Sequence, residues 1–193
     1  ALDDERAHLA RLHRFVRLHR KLPGWSVELL DSALVQFNAS NPAPSSLLID
    51  DVVLEGLAEV QRIGSALRLA PKFVLGLRAP LTDLAVGPGP GSRLFDEIFL
   101  APHVHASDRQ RFAAVRVPGG TGTGAVAIGS VGGGIAAALG MDPREVAAHS
   151  AEAGGTLSLA SLTWMFRHHM LSRALGLSIA QLRRLVAVTG IDP

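Results

Sequence analysis

Leu175-Gly176-Leu177-Ser178-Ile179-Ala180-Gln181 contains the end of one helix and the start of the next. An apolar run ending in Leu meets a short break. Ser178 then stands three residues before Gln181, so the cap and the third helical side chain can satisfy each other's backbone donors. Leu139-Gly140-Met141-Asp142-Pro143-Arg144-Glu145 repeats the arrangement with Asp142 and Glu145. Looser copies occur at Leu22-Pro23-Gly24-Trp25-Ser26 and Leu67-Arg68-Leu69-Ala70-Pro71. With Trp25, Leu69, Met141 and Leu177 as equivalents, the spacings are 44, 72 and 36 residues. A regular solenoid is more even. The pattern predicts an all-α fold of irregular stacked helical hairpins, with an insertion in the third unit.

Outward from these junctions the apolar residues recur at three- and four-residue steps. Leu9, Leu12, Phe15, Val16, Leu18 and Leu22 define a first helix whose acids Asp3, Asp4 and Glu5 lead and whose bases Arg17, Arg20 and Lys21 follow, as the helix dipole favours. Ser26 suits the cap of a second helix carrying Val27, Leu29, Leu30, Ala33 and Leu34. A long helix is predicted from Leu47 to Leu69, and Pro71 opens a shorter one. Ser92 to Phe99 forms a short turn or helix. Further helices are predicted at Ile135–Leu139, Pro143–Ala153, Leu159–Leu175 and Ile179–Val188. Arg111 to Val117 has the alternation of a strand, with no convincing partner strand in the chain. One domain is expected over 1–193, with sub-units at approximately 1–38, 46–86, 92–155 and 156–193.

The chain has 193 residues, 48% of them hydrophobic and 19% charged, enough to bury a core. Nineteen basic side chains face seventeen acidic ones. The isoelectric point near 9.9 overstates this balance, because without Cys or Tyr few groups titrate above neutrality. A strongly basic nucleic-acid binder is not implied. The absence of Cys excludes disulfides, thiolate zinc sites, iron–sulfur clusters and a cysteine nucleophile. The opening Ala1-Leu2-Asp3-Asp4-Glu5-Arg6 is a charged helix start without a signal-peptide core, and Gly190-Ile191-Asp192-Pro193 is a helix stop. Both ends read as cuts within a larger protein.

Chemical motifs are sparse. Gly119-Gly120-Thr121-Gly122-Thr123-Gly124 lacks the Lys and Ser or Thr of a phosphate loop, and Asp142 caps a helix where a dinucleotide fold needs a strand end. A surface loop is the expectation. Val117 to Met141 carries no charge, but nine of its twenty-five residues are Gly, too little apolar transfer energy for a membrane span. His103 and His105, and the neighbours His168 and His169, lack a clustered carboxylate or thiol, so no metal or other cofactor is expected. Surface or boundary imidazoles are predicted. Trp25 and Trp164 suit core packing with the indole nitrogen on a carbonyl. No nucleophile elbow, zinc-protease helix or carboxylate pair is present, so the chain is not expected to be an enzyme. Arg11, Arg14, Arg17, Arg20 and Lys21 make a basic ridge suited to inter-helix or inter-subunit ion pairing, the alternative being phosphate contact.

Four segments in order resemble the α-helical shell of the A component of bacterial tripartite insecticidal toxin complexes, the Tc toxins. They are Leu12-His13-Arg14-Phe15-Val16-Arg17-Leu18-His19-Arg20-Lys21-Leu22 with Gly24-Trp25-Ser26 and Glu28-Leu29-Leu30-Asp31; Leu54-Glu55-Gly56-Leu57-Ala58-Glu59-Val60-Gln61-Arg62-Ile63; Arg93 through Pro102; and Leu157 onward, through Leu171-Ser172-Arg173-Ala174-Leu175-Gly176, to Thr189-Gly190-Ile191-Asp192-Pro193. The family favours Tyr where this chain has Ser92 and Phe166. The resemblance implies a scaffolding shell segment around a translocation channel in a homopentamer. Other domains and protomers of the same component would be its partners, alongside the toxin's B and C components. It further implies a secreted or cell-surface complex, with no nucleic acid bound and no membrane insertion by this segment. Arg11, Arg14, Arg17 and Arg20 would then serve subunit contacts. Shells of this kind open as pH changes, which makes His168 and His169 candidate acid sensors. The alternatives are a helical protein- or peptide-binding adaptor and a nucleic-acid-binding helical module.

Overall fold

The computed structural model describes residues 2–39, 49–89, 91–116 and 126–190, with side chains from residue 5 onward. Its regular elements are helices: α1 (Leu2–Lys21), α2 (Val27–Ala39), α3 (Asp51–Leu67), α4 (Pro71–Arg78), α5 (Leu94–Phe99), α6 (Ala106–Arg116), α7 (Gly132–Leu139), α8 (Pro143–Ser150), α9 (Leu159–Leu175) and α10 (Ile179–Thr189). A 3-10 turn at Ile128–Val131 leads into α7. The fold is all-α. The chain divides into two compact units, one of Ala1–Ala79 with Asp83–Ser92 and the other of Pro80–Thr82 with Arg93–Pro193.

In the first unit α3 presents Val53, Leu57, Val60 and Gly64 at helical spacing, all buried, to α2 and α4. Leu29, Leu30, Ala33 and Leu34 of α2 and Val74 and Leu75 of α4 complete that core. Gly56 lets α2 come close, since a Cβ there would stand 2.8 Å from the Phe37 ring. Asp50 caps α3 through Val53 N–H at 3.0 Å. Ser26 accepts from Leu29 N–H at 3.1 Å, the cap expected of it. Trp25 is buried as expected, but its indole nitrogen has no partner, so apolar contact alone holds the ring. By contrast, no side chain of α1 from Glu5 onward is fully buried.

Three of the four junction residues aligned from the sequence share one backbone device. Leu69 N–H donates to Gly64 O at 2.9 Å, Met141 N–H to Ala136 O at 3.0 Å and Leu177 N–H to Ser172 O at 2.9 Å. Each bond reaches five residues back and closes the helix end as a Schellman turn, with an apolar residue in the same place each time. Trp25 differs: its N–H reaches only to Leu22 O, at 3.4 Å. Such a turn needs a left-handed residue just before the break. Gly140 (φ 66°) and Gly176 (φ 65°) supply it, whereas α3 uses Arg68 at φ 54°. Arg68 is exposed and carries a Cβ penalty that glycine lacks. Arg68→Gly should therefore raise stability by about 0.5 kcal/mol, the relieved strain exceeding the added freedom of the unfolded chain. A urea midpoint that falls in this variant contradicts the assignment.

The second unit is built on an aromatic cluster. Phe95 and Phe99 of α5 lie 5.0 Å apart between ring centres, and Phe99 meets Phe112 of α6 edge-on at 5.5 Å. The predicted strand at 111–117 is corrected through residue 116, where the chain is helical. Without a partner strand, helical bonding satisfies the backbone internally, and only Phe112 of α6 needs full burial. Asp96 of α5 holds Arg116 at 2.7 Å. The expected capping boxes form at Asp142 with Glu145 and at Ser178 with Gln181. A third, Ser158 with Ser161, opens α9. The Gly119–Gly124 loop lies outside the described residues, and an isolated bridge pairs Ala127 with Thr156.

Candidate functional site

Titratable groups gather where α8 meets α9 and α10. Helix α8 directs Val146 and His149, three residues apart, inward from one face, so the imidazole of its last turn enters the core. His149 has no exposed surface. Its ring stands edge-on to Trp164 at 5.3 Å and 6.2 Å from His168. Trp164 and His168, four apart on α9, stack at 3.8 Å. His168 Nδ1 donates to Trp164 O at 3.0 Å, which fixes its tautomer because a carbonyl can only accept. Glu152, just past α8, pairs with Arg183 of α10.

Both ring nitrogens of His149 are buried without a partner. Protonation would place a charge there with nothing to solvate it, so burial first, and then His168, Arg183 and His169, push its pKa down from 6.5 to about 4. His169 is likewise held below its usual range, chiefly by burial and then by Arg173, against the opposing pull of Glu145 and a backbone hydrogen bond at Leu139. His168 and His169 are interior groups, 2% and 4% exposed, and the surface or boundary position expected for them is corrected. Helix α9 buries Ser161, Leu162, Met165, Phe166 and Ser172 as well, an arc wide enough for two neighbouring side chains that diverge by about 100°. His149 is the group that sequence reading missed; its spacing from Val146 was the available signal.

His103 and His105 are both exposed on either side of buried Val104, and His105 bonds Ser107 Oγ at 2.9 Å. Among the described residues no three His, Cys, Asp or Glu side chains converge as a metal would require. Arg11, Arg14, Arg17 and Arg20 are all exposed along α1. Arg11 and Arg14 line a concavity of about 250 Å³ with Phe15, Asp31 and Leu34, yet none of the four makes an ion pair among the described residues. A separate shallow groove of about 610 Å³ in this unit is lined by Phe37, Val52, Glu55, Glu59, Arg62 and Arg78. No described helix is long and apolar enough to cross a membrane. No known protein family, curated protein or solved structure matches the chain.

Proposed function

We propose that this chain is a non-enzymatic helical scaffold segment, of the kind that forms the shell of a toxin A component around a translocation channel. It acts through contacts with other domains and protomers. The observation that carries the reading is α1, a twenty-residue helix whose apolar residues Leu9, Leu12 and Val16 stay 63%, 53% and 37% exposed. A helix leaves such a strip uncovered at a cost in apolar surface, and docking on another surface removes that cost. The sequence resemblance supplies the setting, and the repeated hairpin turn supplies the rigidity a shell needs. Interior histidines suit a shell that loosens in acid.

The second reading is a free-standing adaptor that takes a peptide, favoured by the groove beside Phe37 and Val52. An antibody against the chain, used on cells that make it, separates the two. The shell reading expects a polypeptide far longer than 193 residues within a large assembly. A product near the chain's own 20.3 kDa overturns it and leaves the adaptor.

A further inference from the structure

Charge is segregated along the first unit. Residues 6–21 contain six basic side chains and no acidic one, whereas residues 22–61 contain six acidic side chains and no basic one. Within one copy Asp31 borders the same concavity as Arg11 and Arg14, but no ion pair joins the two blocks among the described residues. Arg6, Arg11, Arg14, Arg17, Arg20 and Lys21 are all exposed and make no ion pair among the described residues. On the acidic side Asp51 and Glu55, one turn apart at the start of α3, are also exposed and unpaired there. Each block carries its own uncovered apolar residues: Leu9, Leu12 and Val16 on α1, and Val52 and Leu54 on α3, 55% and 41% exposed.

We propose that α1 of one copy packs on the first two turns of α3 of a second copy, basic apolar strip against acidic apolar strip. This rests on the scaffold reading and names the partner for its free helix. A second copy fits better than an anionic surface, because the chain itself supplies the matching acidic block with two exposed aliphatic side chains inside it. Burying Leu12 and Val16 beside Val52 and Leu54 contributes the attraction that salt does not screen. The Arg11 to Arg20 series, at three-residue steps, winds across the helix and can meet Asp51 and Glu55 from several registers.

Charge reversal in the 193-residue chain tests the pairing. Sedimentation equilibrium at about 200 µM and low salt should show association that weakens about tenfold when salt is raised well past the screening range. Arg14→Glu with Arg17→Glu should leave a folded monomer, as should Asp51→Lys with Glu55→Lys. Mixing these two variants should restore association, because the reversed α1 of one then faces the reversed α3 of the other. A monomeric parent chain, or a mixture that stays monomeric while both variants keep their helical circular dichroism, overturns the proposal. Binding of the parent chain to phosphatidylserine vesicles or duplex DNA without self-association overturns it too, and assigns α1 to that surface instead. None of these outcomes decides the length of the native polypeptide, so this pairing can fail while the scaffold reading stands.

Discussion

Acidification from pH 7 to pH 4 should cost the protein about 3 kcal/mol of folding stability through His149 alone, the free-energy equivalent of a pKa lowered from 6.5 to about 4. The sign follows from where the protons sit. Between these two values the unfolded chain protonates this imidazole and the folded chain does not. Stability is therefore complete above pH 6.5, falls as pH drops through the window, and loses nothing more from this group below about 4. His169 adds a loss in the same direction, since its pKa is also lowered. His149→Leu removes two buried nitrogens that lack partners, and replacing such a group with an apolar one is neutral or stabilising at neutral pH. Its urea midpoint should depend much less on pH between 4 and 6.5. An equally steep acid loss in the variant would refute the assignment. So would a His149 proton resonance in the parent chain that titrates at the ordinary imidazole pKa, a measurement that does not depend on the variant folding.

This acid response has a structural address. His149 joins α8 to α9 through its contacts with Trp164 and His168, and the Glu152–Arg183 pair ties the segment after α8 to α10. Positive charge on His149 would be opposed by His168, Arg183 and His169. Repulsion would act on the packing of α8 against α9 before it acted on the aromatic cluster around Phe99. The packing of α8 on α9 is thus the part of this unit expected to loosen first in acid, detectable as earlier hydrogen exchange in α8 than in α5.

Helix ends were the most legible feature of the sequence, because their determinants are local. Helix α9 runs from Leu159 to Leu175 as its periodicity indicates, and Leu69, Met141 and Leu177, aligned by pattern alone, make the same backbone bond. Arg111 to Arg116 misled because one Phe among alternating small and charged residues satisfies a two-residue period as well as a helical one. Ser158 with Ser161 escaped notice because hydroxyl replaced the carboxylate or amide normally found at the third position of a capping box. The histidines illustrate the larger limit. Whether an imidazole is solvated depends on which helix lies across it. Helix α9 is enclosed over so wide an arc that the reading of one buried face per helix fails there. The exposed strip on α1 had the converse problem: its amphipathic spacing predicts a buried face, and no partner that would bury it is found among the described residues of the unit.

Phe99→Ala should destabilise the second unit by about 3–5 kcal/mol. Phe99 has no exposed surface, and its ring is shared between Phe95 on its own helix and Phe112 on α6. Truncation removes the transfer energy of the ring and leaves a cavity. Phe112 of α6 borders the ring and α5 itself packs on α7, so collapse into the space would require more than one helix to shift. It also deletes both ring pairs, each contributing about 0.5–1.5 kcal/mol beyond area. Phe99→Leu keeps most of the volume and loses only the ring geometry, so about 1–2 kcal/mol is expected for it. The ratio between the two variants is the informative quantity. Urea unfolding followed by Trp164 fluorescence, in a Trp25→Phe background so that the signal comes from this unit alone, measures both. Equal and small losses for Ala and Leu would mean that the ring is not enclosed between α5 and α6. A large loss for Ala with a small one for Leu is what helices closing on one buried side chain require.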